Sequence, residues 1–138
     1  MKKEKIKSEL TLREACESVK QFHETFGLSV NEKLMADIPK ELGLLRYKLM
    51  REENEEYLEA VQNGDLIEIA DACGDMLYIL CGTLISHGLQ DKIGEVFREI
   101  QRSNMSKAGP DGKPIYREDG KVLKGPDYFK PNIKKVLD

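Results

Sequence analysis

Over most of the first 103 positions, apolar side chains recur at steps of three and four, the interval that places them on one face of an α-helix. Ala15, Val19, Phe22 and Phe26 follow this rule between Thr11, a residue suited to an N-cap, and Gly27, a natural stop, which predicts a helix over about 12–26. A second helix is predicted over about 39–62. Pro39 suits its first turn after Asp37 or Ile38, and Asn63-Gly64 ends it. Asp65 caps a third, which continues to His87-Gly88 and is apolar enough to be expected mostly buried. A fourth, over about 90–103, carries Ile93, Val96, Phe97 and Ile100 as one stripe. Periodicity then changes: residues 115–118 and 121–124 flank Asp119-Gly120, the pattern of a hairpin with a two-residue turn.

Composition divides the chain at about the same place. Four of the five prolines and four of the eleven glycines follow Lys107. Residues 1–103 hold 14 basic and 20 acidic side chains, whereas 104–138 hold 8 and 5. The expectation is one domain over 1–138, an acidic helical body (about 11–103) with a basic, loop-rich tail (104–138). The net charge of −3 offers no basic excess for nucleic acid or an anionic membrane. No apolar stretch follows the basic N-terminal residues, and the uncharged run 76–85 is about half of a bilayer span, so neither a secretory signal nor a membrane segment is expected. Cys16, Cys73 and Cys81 lack metal-site spacing, fit a reduced cytoplasmic setting, and are read at 73 and 81 as small core residues.

The chemistry concentrates in two acidic patterns. In Arg51-Glu52-Glu53-Asn54-Glu55-Glu56, helical spacing puts Glu53 and Glu56 on one face with Glu52 beside Glu56. Lys48 and Arg51 stand four before Glu52 and Glu55 and can pair with them. Glu53 and Glu56 have no basic residue at helical reach. On the third helix Glu68, Asp71 and Asp75 form a stripe among apolar neighbours, and Asp75 is followed by ten uncharged residues. Because Asn63-Gly64 is a short connection, the two helices should pack antiparallel, with Glu56 opposite Asp71 and Glu53 opposite Asp75. Converging carboxylates without histidine or thiolate suit Mg²⁺, or Mn²⁺. The competing reading is a set of solvated or salt-bridged acids.

These residues resemble the all-α, MazG-like nucleoside triphosphate pyrophosphohydrolase superfamily, which includes dimeric dUTPases and phosphoribosyl-ATP pyrophosphohydrolase. Its pattern is Glu-Glu-x-x-Glu on one helix and Glu-x-x-Asp on the next. Glu52-Glu53-x-x-Glu56 matches the first half, and Gly74-Asp75-Met76-Leu77-Tyr78 matches the end of the second, with Ala72 where the pattern has Glu. Gln21-Phe22-His23-x-x-Phe26, Arg102-Ser103-Asn104-Met105-Ser106-Lys107 and the hairpin are similar to a MazG-like branch.

The resemblance implies a helical bundle with a small tail hairpin, assembled as a homodimer or homotetramer. It also implies Mg²⁺-dependent hydrolysis of a (deoxy)nucleoside triphosphate between the α and β phosphates. Glu53, Glu56 and Asp75 would carry catalysis, one of the carboxylates accepting the proton of the attacking water. Glu53, Glu56, Asp71 and Asp75 would hold the metal, with Glu52 and Glu68 as further candidates and the fourth ligand open between Asp71 and Glu68. Asn104 and Lys107 would reach the phosphates, against a reading as helix C-terminal residues. Lys121 and Lys124 would close over the triphosphate, against ordinary edge protection. His23 would help form a base-stacking pocket, against a satisfied core histidine, while Tyr47 and Tyr78 are expected in the core. Two alternatives stay open: a narrower dUTP or phosphoribosyl-ATP hydrolase, and a non-catalytic dimerisation or nucleotide-sensing module with a regulatory metal.

Overall fold

The computed structural model describes residues 8–109 and 111–138; the basic N-terminal stretch over 1–7 and Pro110 lie outside them. Among the described residues are five helices, α1 (Leu12–Thr25), α2 (Lys40–Gln62), α3 (Leu66–Ser86), α4 (Ile93–Met105) and α5 (Ile133–Leu137), and no sheet, so the chain is all-α. It falls into two compact units, one ending at Asp91 and one spanning Lys92–Asp138, so that α4 groups with the tail.

In the first unit α3 packs against both α2 and α1. Thr11 caps α1 through a reciprocal box: its hydroxyl accepts from the Glu14 N–H while the Glu14 carboxylate turns back to the Thr11 backbone. Pro39 occupies the N-cap of α2. The α2–α3 turn closes through Asp65 N–H donating to the Ala60 carbonyl, with Gly64 at φ 62° and the Asp65 carboxylate accepting from Glu68 N–H. At the far end of α3, Gly88 has φ 68°, and a Cβ there would collide with the Lys33 backbone. The 27–39 connection is tied there too, by Met35 N–H to His87 O and His87 Nδ1–H to Met35 O.

Burial departs from the sequence reading. The core lies around the C-terminal half of α3, where Cys81, Leu84 and Ile85 pack with Cys16 and Val19. The other half of α3 is open, with Leu66 and Ile67 76% and 80% exposed. A periodic stripe identifies a face but not whether this chain covers it. At 21 residues, α3 also has the length and apolar composition of a membrane-crossing helix, a property that the shorter uncharged run did not reveal. Cys73, Tyr47 and Tyr78, expected in the core, are exposed.

In the second unit α4 starts at Ile93, three residues later than expected, and Phe97 and Ile100 of its stripe are exposed. Buried Ser103 donates to the Phe129 carbonyl at 2.8 Å, and Arg102 stacks over the Phe129 ring. The expected hairpin is reduced to one bridge, Tyr116 to Val122. Its turn is longer by one residue: Gly120 N–H reaches Arg117 O, Arg117 N–H reaches Lys121 O, and Gly120 has φ 89°, the form of a three-residue loop ending in a left-handed glycine.

Candidate metal centre and adjoining cleft

The antiparallel α2–α3 pair brings Glu53, Glu56 and Asp75 together, with ligand oxygens all within 4.8 Å of one another. Glu53 and Asp75 are half-buried and Glu56 is exposed. None of the three is in a salt bridge among the described residues. Arg51 does pair with Glu55 at 3.1 Å, as its spacing requires, whereas Lys48 forms no ion pair with Glu52. Glu53 is the strained member. Its Oε2 is sealed from solvent without a hydrogen-bond partner. Burial first, then the adjoining Glu56 carboxyl, then the negative charges of Asp75 and Asp71 push its carboxyl up to about 7. Three converging carboxylates, one with an orphaned buried oxygen, form an all-oxygen donor set that fits a hard divalent cation.

The remaining candidate ligands are not part of this close group. Asp71 is exposed and near enough for its charge to act on Glu53, but lies outside the group of three. Glu68 lines a separate depression toward the turn, with Glu56, Glu59 and Asn63. Glu52 is exposed on α2. Ala72 is packed into the core at 2% exposure.

Beside the trio, Glu53 and Asp75 also form one end of a cleft of about 270 Å³ whose other walls include Phe22, His23, Arg46 and Tyr78. Phe22 meets Tyr78 edge to face, with ring centroids 5.7 Å apart. His23 lines the cleft but is only 2% exposed, and its Nδ1–H donates to the Ser29 carbonyl at 2.7 Å. A carbonyl can only accept, which fixes Nδ1 as the protonated nitrogen.

Arg46 was missed by sequence reasoning. It is 8% exposed, donates from Nε to Thr83 Oγ1 and from Nη2 to the Ile79 carbonyl, and has no acidic partner among the described residues. Its signal was present: it stands seven residues before Glu53, two helical turns back on the same face.

Asn104, Lys107, Lys121 and Lys124 all belong to the second unit. Asn104 is exposed in the last turn of α4, and its carbonyl accepts from Lys107 N–H. The Lys107 carbonyl accepts from Gly125 N–H. Lys124 Nζ lies 4.9 Å from the centre of the Tyr128 ring, and exposed Lys121 closes the hairpin through its backbone.

Comparison with known proteins gives the family of the chain. The model of the phosphoribosyl-ATP pyrophosphohydrolase family matches residues 19–104, which is more than half of the chain and includes α2, α3 and all three carboxylates. The chain belongs to that family. An uncharacterized protein of Acanthamoeba polyphaga mimivirus is 39% identical over 70 residues, 48% of this chain; the matched portion is 28% of that protein's length. A solved structure described as "a putative NTP pyrophosphohydrolase", from Exiguobacterium sp. 255-15, is 28% identical, with 87% of this chain and 90% of that one covered at a TM-score of 0.45.

Proposed function

We propose that the protein hydrolyses a (deoxy)nucleoside triphosphate between the α and β phosphates, giving a nucleoside monophosphate and pyrophosphate. The observation that carries this reading is the convergence of Glu53, Glu56 and Asp75 around an orphaned Glu53 oxygen, at one end of an aromatic-walled cleft. Family membership supports the reaction class. Glu53, Glu56 and Asp75 would hold Mg²⁺, or Mn²⁺ in its place, with Asp71 placed to add charge. A divalent cation there would neutralise phosphate oxygens and lower the pKa of a water. One of the three carboxylates would accept the proton of the attacking water. Asn104, Lys107, Lys121 and Lys124 are proposed as phosphate-binding residues.

The protein works, on this reading, as a soluble cytoplasmic homodimer or homotetramer, a second copy covering the open half of α3. A second reading, a nucleotide sensor without turnover, draws on Ala72, which leaves three carboxylates in contact rather than four.

Product analysis by phosphorus NMR with Mg²⁺ and a panel of canonical, deoxy and modified triphosphates tests the proposal. Monophosphate and pyrophosphate in equal amounts support it. Nucleotide binding without products would favour the sensor.

A further inference from the structure

The cleft beside the carboxylates holds a buried arginine that the phosphate chemistry leaves unused. Arg46 is anchored by Thr83 Oγ1 and the Ile79 carbonyl, while Nη1 makes no hydrogen bond among the described residues and is not among the sealed unpartnered atoms. A guanidinium so deeply placed without a carboxylate is costly unless another acceptor meets it. Gly82 gives it room: a Cβ there would stand 3.1 Å from Arg46 Cζ and 2.8 Å from His23 Nε2.

Position decides what that acceptor is. Seven residues of helix separate Arg46 from Glu53 and eight separate Thr83 from Asp75, so the guanidinium lies about 10–12 Å along the helix axes from the carboxylates. That is beyond a phosphate held at the carboxylates and in the range of a nucleotide's base. Phe22 and Tyr78, between the two ends, offer apolar faces suited to a flat ring. At about 270 Å³ the cleft is slightly smaller than the ~300–1,000 Å³ of sites for drug-sized ligands, which suits a base alone.

We infer that Arg46 is a specificity-determining residue, donating from Nη1 to a ring carbonyl of the base, so that the cleft takes uracil, thymine, cytosine or guanine in preference to adenine, which has no carbonyl. The inference rests on the nucleotide reading of the site. With Nε and Nη2 already engaged, the one free donor, Nη1, pairs best with a carbonyl oxygen, whereas adenine offers only ring nitrogens and, where guanine has its carbonyl, an amine that donates. His23 and Thr83 act as positioning residues, one against the guanidinium and one on its Nε.

Calorimetry with non-hydrolysable α,β-imido analogues of dUTP and dATP, in Mg²⁺, tests this on the full chain. The wild-type protein should bind the dUTP analogue at least about tenfold tighter, and Arg46→Gln should lose about ten- to hundredfold for it while the dATP analogue changes by less than about twofold. Equal losses for both analogues, no loss, or a preference for the dATP analogue would overturn the inference and leave Arg46 a tie between α2 and α3. Should Arg46→Gln fail to fold, Thr83→Val keeps the guanidinium but frees Nε, and should reduce the preference about threefold or more; an unchanged preference is then the overturning result. Turnover assays on the same panel separate the two claims. Discrimination without turnover refutes the hydrolase and keeps the inference, turnover without discrimination does the reverse, and absence of binding refutes both.

Discussion

Glu53 on α2 and Asp75 on α3 bring carboxylate oxygens within 4.8 Å of each other, and neither has a basic partner among the described residues. Without a cation this is a repulsive contact built into the packing of two long helices. Its cost is concentrated on Glu53, the member with the sealed oxygen.

The first consequence is a pH dependence of the metal-free protein. Glu53 has its folded pKa raised from 4.5 to about 7, so between those values the folded state binds more protons and stability falls as pH rises. The penalty is absent below pH 4.5 and complete above about 7. Glu53→Gln should therefore raise metal-free stability at pH 8 by on the order of 1 kcal/mol, after solvent screening, and leave it nearly unchanged at pH 4. Thermal melts of both proteins in chelator at the two pH values check this.

Mg²⁺ should act in the opposite sense. A ligand bound only by the folded state adds about 2.7 kcal/mol at a hundredfold excess over its dissociation constant, so the wild-type melting temperature should rise by several degrees. Asp75→Asn and Glu56→Gln should abolish the rise, as followed by differential scanning calorimetry with and without the cation.

Gly82→Ala probes the packing beneath the cleft. The added methyl would press on a guanidinium held by two hydrogen bonds and on His23 Nε2, so the cost should be about 1–3 kcal/mol, unlike a routine Gly→Ala gain in a helix. Urea unfolding gives the number.

In the second unit, Arg102 and the Asn132 N–H hold the Glu99 carboxyl down to about 2. A depressed folded pKa stabilises above the ordinary value of 4.5 and is lost as pH falls from there toward 2. Glu99→Gln should be less stable than wild type at pH 7, with the gap closing on acidification, as read by paired melts from pH 7 to pH 2.5.

Leu66 and Ile67 are the most exposed of the large apolar residues on α3 and lie on the half of the helix that we propose a second copy covers. Covering each is worth about 1.5–3 kcal/mol, so Leu66→Glu or Ile67→Glu should weaken self-association at least about tenfold. Sedimentation equilibrium measures it; a wild-type monomer would remove that part of the proposal.

Local signals were legible in the sequence where local chemistry decides the structure. Thr11 and Glu14 make the cap of α1, and Asn63-Gly64-Asp65 makes the α2–α3 turn, which sets the two acidic patterns facing each other. What escaped depends on distant partners. Gln90 was read as helical, yet its side chain donates to the Asn31 carbonyl and precedes a turn, so α4 begins at Ile93. Neither Asp71 nor Glu68, between which the fourth ligand stayed open in the sequence, is in the close group, which holds Glu53, Glu56 and Asp75 alone among the described residues. Arg46 drew no reading from the sequence, because burial of a guanidinium depends on Gly82, Thr83 and the Ile79 carbonyl across the helix pair.

The central claim is that the Glu53–Glu56–Asp75 trio cleaves the α–β anhydride. The most direct measurement is pyrophosphate release from the best triphosphate of the panel by wild type, Glu53→Gln and Glu56→Gln, each confirmed folded by circular dichroism. The account predicts pyrophosphate and monophosphate from wild type and a loss of about a thousandfold or more in both variants. Pyrophosphate release that survives both substitutions, or orthophosphate with a nucleoside diphosphate as the products, would contradict it.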